Sequence, residues 1–426
     1  MNTNQLKRFA QEARTKLLQQ VGAKMNYVLS QDTSELRGRT DTLQKLNEEI
    51  HRHGKEAVID KVGYTWFNRL VALRFMDVNG YQPIGLSVVS PATSDHVSPQ
   101  ILTEAHSGNI PGELKVNKTQ LFDILDGRQP SNNPDNEVYR MLLVAACNHL
   151  SHLFPFLFER IEDYTELLLP DDLTSPFSIV TDIVNGMAEE DCREVEIIGW
   201  LYQFYISEKN EELIQSKKTY KKDELAPASQ LFTPKWIVRY MVDNTLGQFW
   251  SECYPQTRIL TELEFYIKPD YVDKIKKREV NIEEVKFFDP CAGSGHILSY
   301  AFDVFYRIYE ELGYEPNRIP ELIITKNLWG VDIDQRASQL ASFVLLMKGR
   351  KRYRRFFRKI ESSSIVPNIY YYQDFETDSK FDNAEALGSL IQVNPKEYES
   401  IQVDENSLFS EKQSELKALY RLLGQR

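Results

Sequence analysis

Apolar residues recur every three to four positions near the start of the chain. Leu6, Phe9, Ala10, Ala13 and Leu17 alternate with Lys, Arg, Gln and Glu, a spacing that predicts an amphipathic helix. Tyr64 to Phe75 is a denser apolar stretch and predicts a buried helix that carries Arg69 and Arg74 on its wetter side. Residues 79–118 are rich in Gly, Pro, Ser and Thr and predict loop with short strands. Periodicity resumes over residues 137–158, a long apolar helix ended near Pro155, and again over 191–209.

Residues 215–227 break the pattern with Lys217, Lys218, Lys221, Lys222 and Pro227, and mark a domain boundary. The pattern therefore divides the chain into a mainly helical part, 1–225, and a second part, 226–426. In the second part Thr233 is placed to cap a helix with Pro234 at its first position, running to about Trp250. Residues 258–284 read as a charged, helical insertion. From Val285 to about Gln373 strand and helix patterns alternate, as in βαβ units that build a parallel sheet. Residues 407–426 read as a polar-faced helix.

Within that alternation, Phe288-Asp289-Pro290-Cys291-Ala292-Gly293-Ser294-Gly295-His296 reads as strand, tight glycine turn and helix start. About 40 residues on, a second strand ends in Gly330-Val331-Asp332-Ile333-Asp334, and a third candidate, 365–373, precedes Asp374-Phe375. A dinucleotide-binding turn wants a third glycine where Leu298 stands. The ligand difference matters more. A diphosphate favours bare amides and cations, whereas S-adenosyl-L-methionine (AdoMet) brings a sulfonium and an amino group that acids can hold. Asp289 and Pro290 precede the turn, and Asp289 is placed for the cationic end. Gly293 and Gly295 let the backbone approach closely. Asp332 can accept the ribose hydroxyls, and Asp374 the adenine amine with Phe375 against the ring. Taken singly, an Asp at a strand end is usually a turn former. Three on successive strands form one line along the carboxyl edge, where open α/β sheets bind ligands.

Composition narrows the class. With 42% apolar residues, 22 Phe and 22 Tyr, the 426-residue chain can fill more than one core. No long uncharged apolar run predicts a membrane span, and the N-terminus lacks a secretory pattern. Cys147, Cys192, Cys253 and Cys291 are too dispersed for a disulfide framework or a zinc site, so a reduced cytoplasm is expected. The net charge of −11 argues against a chain coated with nucleic acid, although a local basic stripe still acts over roughly 10 Å.

Such a stripe lies at 348–359, where Lys348, Arg350, Lys351, Arg352, Arg354, Arg355, Arg358 and Lys359 occur with no acid among them. It reads equally as a phosphate-contacting patch and as a basic helix end whose Tyr353, Phe356 and Phe357 face the core. His149 and His152, one helical turn apart, and the pair His51 and His53 have no acid or cysteine at ligand spacing, so no metal is expected. Cys291 fills the turn as a small side chain, and Tyr370-Tyr371-Tyr372 belongs to a strand.

Phe232-Thr233-Pro234, Asp289-Pro290-x-x-Gly293-Ser294-Gly295-His296 and Val331-Asp332-Ile333-Asp334 resemble the AdoMet motifs of adenine-specific DNA methyltransferases. Residues 6–14, Tyr64-Thr65-Trp66-Phe67-Asn68-Arg69-Leu70 and Gln230-Leu231-Phe232-Thr233-Pro234 further resemble the PglX family of BREX-type phage-defence methyltransferases. The resemblance implies a helical N-terminal domain followed by part of a Rossmann-like, class I methyltransferase domain. It also implies transfer of methyl to adenine N6, with Phe232, Thr233 and Pro234 closing over the methionine end. Double-stranded DNA, held weakly or not at all by this chain alone, and other defence proteins are the implied partners.

The family's catalytic (Asn/Asp/Ser)-Pro-Pro-(Tyr/Phe) loop, which draws electron density onto the amine of a flipped base, has no counterpart here. The chain contains no Pro-Pro pair; its nearest strings are Asn394-Pro395-Lys396-Glu397-Tyr398 and Asn133-Pro134-Asp135. The expectation is a fragment or a naturally shortened protein that holds cofactor residues and does not methylate DNA by itself. A non-catalytic AdoMet-binding scaffold or sensor of a defence complex is the alternative. A restriction enzyme with its own nuclease would need a Pro-Asp…Glu-x-Lys site, a spacing that Lys55 and Glu56 do not supply.

Overall fold

In a computed structural model, the described residues are 3–31, 33–93, 97–159, 164–216, 222–230, 233–269 and 280–371. The helical part comprises α1 (Thr3–Ser30), α2 (Ser34–Arg37), α3 (Thr40–His53), α4 (Lys55–Val78), α5 (Gln100–His106), α6 (Lys118–Leu125), α7 (Pro134–Leu150), α8 (Tyr164–Leu167), α9 (Ile179–Gly186) and α10 (Glu196–Ser216). Then come α11 (Lys222–Ser229), α12 (Lys235–Val242) and α13 (Gln248–Cys253). The last stretch is β1 (Phe287–Asp289), α14 (His296–Glu311), α15 (Ile319–Leu322), β2 (Leu328–Asp332), α16 (Gln335–Arg352), α17 (Phe356–Ser363) and β3 (Asn368–Tyr371). Strand–helix–strand alternation thus gives a helix-rich α/β chain in which the described residues form one parallel sheet, ordered β1-β2-β3. Met1–Lys218 and Ala226–Tyr372 make one compact unit; the other grouping, Thr219–Leu225 with Gln373–Arg426, lies almost wholly outside the described residues.

The predicted stripe of α1 is the one that buries: Leu6, Phe9, Ala10, Ala13 and Leu17 all face the core. That core is continuous across the unit. Phe154, after α7, lies edge-on to Phe343 of α16 and to Phe357 of α17, each with ring centroids 5.4 Å apart. Among the described residues no helix is long and apolar enough to cross a membrane.

Several local expectations are corrected. Arg69 and Arg74 are not on a wet face; both are buried, at 2% and 6% exposure. A helix apolar all round has no wet side, so its guanidinium groups satisfy themselves on loop carbonyls. Arg69 donates to Leu157 O and Glu159 O, and Arg74 to Met187 O and the Ser90 hydroxyl. Residues 79–118 contain the helix α5 as well as loop. The helix predicted over 137–158 begins earlier and ends at Leu150. Asn133-Pro134 is its start, with the Asn133 side chain accepting from Asn136 N, so that string is a helix cap.

Pro234 occupies the cap position of α12 and Thr233 makes no capping bond. The helix reaches Cys253 through a π-helical segment, Asp243–Gly247. Of the helical insertion expected over 258–284, the described residues hold two short 3-10 turns, Ile259–Glu262 and Ile282–Glu284, and residues 270–279 lie outside the described residues. Lys217, Lys218, Lys221, Asn394-Pro395 and residues 407–426 lie outside the described residues.

Candidate functional site

The site grows from the register of β1 on β2. Asp289 stands opposite Gly330, and Asp332 opposite Tyr371 of β3, so the two acids end adjacent parallel strands on one edge. Gly330 is required between them. A Cβ there would sit 2.8 Å from Leu298 Cδ1, 2.9 Å from Ile369 Cδ1 and 3.1 Å from Ala292 Cβ. The turn after β1 then folds over the tip of β2. Ala292 N donates to Val331 O (2.9 Å) and Gly293 N to Asp332 Oδ2 (2.7 Å).

Gly293 and Gly295 adopt φ of 53° and 85°, the left-handed region that side chains disfavour. Gly295 is also pressed against α16, since a Cβ there would meet Ala341 Cβ at 3.0 Å. Gly295 begins α14, and the acids lie beside its amino end.

Asp289 and Asp332 are each only 7% exposed. Burial pushes the Asp289 carboxyl above its usual range, the Cys291 amide (3.1 Å to Oδ1) pulls it back in part, and the charge of Asp332 raises it further. Asp332 is raised too, first by burial, against bonds from the Asp334 amide (2.8 Å to Oδ1) and the Gly293 amide. Both acids are therefore turn formers, as single Asp residues usually are, yet their electrostatics are unfinished. Asp289 Oδ2 is buried without a hydrogen-bond partner among the described residues. A buried carboxylate oxygen lacking a donor is costly unless a cation or donor arrives.

A cavity of about 690 Å³ borders Asp289 and Pro290 and is otherwise mostly apolar, with Met241, Thr245, Phe249, Phe287 and Ile297 in its wall. Neither Asp332, Gly293, Gly295, Thr233 nor Pro234 lines it. The π-helical segment forms part of its rim and is anchored by Asp243, which is wholly buried. Asp243 accepts from the Tyr300 hydroxyl (2.9 Å), on α14, and from Phe265 N (3.0 Å).

Of the sequence-predicted cofactor residues, the structure brings Asp289, Pro290, Gly293, Gly295 and Asp332 together. Thr233 and Pro234 stand at the head of α12, which packs along α14. Phe232, Asp374 and Phe375 lie outside the described residues. The basic run is only partly open. Lys348 is buried and paired with Asp303 (2.6 Å), which Arg352 also approaches (3.5 Å). Arg350 lies over the Tyr81 and Phe357 rings, Arg352 over Tyr306, and Lys351 reaches Glu194 at 3.9 Å. Arg354 and Arg355 are exposed.

Sequence reasoning assigned no role to Asp334, although Asp before Gln335-Arg336 at a helix start is a capping signal. Its side chain accepts from Arg336 N (2.9 Å) and from the Tyr202 hydroxyl (2.6 Å). Tyr202 itself carries no local signal, because its partner is 132 residues away.

No family model matches the chain. Two curated proteins do. "Adenine-specific methyltransferase BrxX" of Escherichia coli O9:H4 (strain HS) is 35% identical over 94% of this chain and 38% of its own length. "Adenine-specific methyltransferase PglX" of Lacticaseibacillus casei (strain Zhang) is 33% identical over 87% of this chain and 34% of its own. A solved structure, the Type IIL restriction-modification enzyme MmeI in complex with DNA, overlaps 89% of this chain and 41% of its own at 12% identity and a TM-score of 0.36, too loosely to argue from.

Over most of its length the chain is thus similar to two proteins named as methyltransferases. More narrowly, it resembles the adenine-specific methyltransferases BrxX and PglX, as the quoted motifs led one to expect. It spans a little over a third of the length of the curated relatives it matches.

Proposed function

We propose that this chain is the AdoMet-binding portion of a DNA methyltransferase that methylates adenine N6 in BREX-type phage defence. The carrying observation is the pair of buried strand-tip acids, Asp289 and Asp332, beside a left-handed glycine turn, with Asp289 Oδ2 left without a hydrogen-bond partner among the described residues. A cationic ligand answers that arrangement and a phosphate does not. In this reading Asp289 holds the sulfonium and amino end, Gly293 and Gly295 make room for it, and Asp332 takes the ribose hydroxyls. Asp374 with Phe375 would hold the adenine, and Phe232, Thr233 and Pro234 would close over the methionine end.

AdoMet, when bound, supplies the electrophilic methyl group; the chain's own residues bind and orient it. Residues 226–426 would be the class I, Rossmann-like methyltransferase part and 1–225 the helical domain, in a cytoplasmic protein. Arg354 and Arg355, which are exposed, are the better candidates for DNA phosphate among the residues expected to meet it. These 426 residues contain no Pro-Pro pair, so they are not expected to transfer methyl by themselves.

Calorimetric titration with AdoMet tests the pocket. Wild type should bind, and Asp332→Ala should lose binding; binding indifferent to that change defeats the assignment. Methyl transfer to plasmid DNA by the 426-residue chain would defeat the claim that it lacks a catalytic loop.

A further inference from the structure

One face of α10 touches both ends of the proposed cradle. At Gly199 the helix lies so close to the turn that a Cβ would come within 2.4 Å of His296 Nε2 and 2.7 Å of Ser294 Oγ. Three residues on, on the same face, the Tyr202 hydroxyl donates to Asp334 Oδ2 at 2.6 Å. Asp334 passes the contact inward. Its other carboxylate oxygen caps α16 through Arg336 N (2.9 Å), and its own amide donates to Asp332 Oδ1 (2.8 Å). The remaining oxygen of Asp332 takes the Gly293 amide at 2.7 Å. The corner is tied down from behind, since Arg336 also meets Asp60 at 3.1 Å and Arg14 approaches Asp60 at 3.5 Å.

We propose that Tyr202 and Gly199 are positioning residues of the cofactor cradle. Tyr202 acts through Asp334 to fix the rotamer of Asp332, and Gly199 seats Ser294 and His296 at the other end of the turn. The helical part is thus a working piece of the nucleoside pocket, and a shift of α10 alters cofactor affinity without any residue of α10 touching the cofactor. This rests on the AdoMet reading above.

The full chain serves for the test, as wild type, Tyr202→Phe and Gly199→Ala. Two readouts are taken: amide hydrogen exchange at Gly293 and Asp334 without ligand, and calorimetric titration with AdoMet and, separately, adenosine. Tyr202→Phe should speed exchange at both amides. It should also weaken AdoMet and adenosine alike, by about tenfold, the scale of one hydrogen bond to a charged group. Gly199→Ala, which crowds Ser294 and His296, should weaken AdoMet more than adenosine. A Tyr202→Phe protein with a lower Tm but unchanged affinity and exchange makes the tyrosine merely structural and overturns the proposal. Wild type that binds neither probe overturns the cofactor reading and this proposal together; wild type that binds both, with variants indistinguishable from it, overturns the proposal alone.

Discussion

The strand tips and the basic run are both dense in charge, and the fold treats them oppositely. Around 348–359 almost every cation that approaches the interior meets an answer: Lys348 and Arg352 share Asp303, and Arg350 rests on two aromatic rings. At the carboxyl edge of β1 and β2, two acids are buried side by side with raised pKa and one oxygen unmatched among the described residues. A balanced charge cluster is explained by folding alone. An unbalanced one costs the fold something and points to what is not protein. Density of charge in a sequence is thus a poorer guide to a site than charge the fold leaves unanswered.

The sharpest way to break this contrast is Lys348→Met. It leaves the partly buried Asp303 to Arg352 alone and should destabilise by about 2 kcal/mol in denaturant titration, less than a fully broken buried pair because Arg352 remains; no loss would mean that the basic run is not structurally balanced. Asp289→Asn should behave in the opposite manner. Removing an unanswered buried charge leaves chemical stability equal or higher, while AdoMet affinity falls about thirtyfold, about 2 kcal/mol. A fall in stability with affinity intact would reverse the roles.

Acid offers a third probe. Burial lowers His296 from 6.5 to about 4, with Glu196 opposing. The ring is neutral in the fold, so its contribution is complete above pH 6.5 and is lost as pH drops towards 4. The raised Asp289 and Asp332 act with the other sign and are common to both proteins, so His296→Asn should flatten the acid loss by an amount on the order of 1 kcal/mol. Identical pH profiles would remove His296 from the account. The smallest effect belongs to Arg354→Ala with Arg355→Ala, which should leave stability within about 0.5 kcal/mol. If these residues meet phosphate, the salt slope of DNA binding should fall by about one per residue removed; a slope unchanged would leave them as solvated surface.

Much of the site was legible because its signals are local. Asp289, Gly293, Gly295 and Asp332 sit in short strings whose residue types each answer a backbone need, and the strand pairing merely aligned them. The amphipathic stripe of α1 was readable for the same reason. What escaped depended on distant partners. Arg69 and Arg74 were misplaced because a helix apolar all round gives no sign of which loops will supply carbonyls. Tyr202 and Gly199 matter only through residues about 95 to 132 positions away. The Thr233-Pro234 start failed more narrowly: proline took the cap position one residue earlier than the rule for first-turn proline assumes.

The bridge between Arg336 and Asp60 joins side chains 276 positions apart, and Phe154 lodges between two phenylalanines of the later helices. Expressing the strands without the opening helices would therefore bare a greasy seam and set Asp334 and Arg336 loose at the same stroke. Anyone seeking a smaller binding unit would do better to trim surface loops than to cut at residue 226.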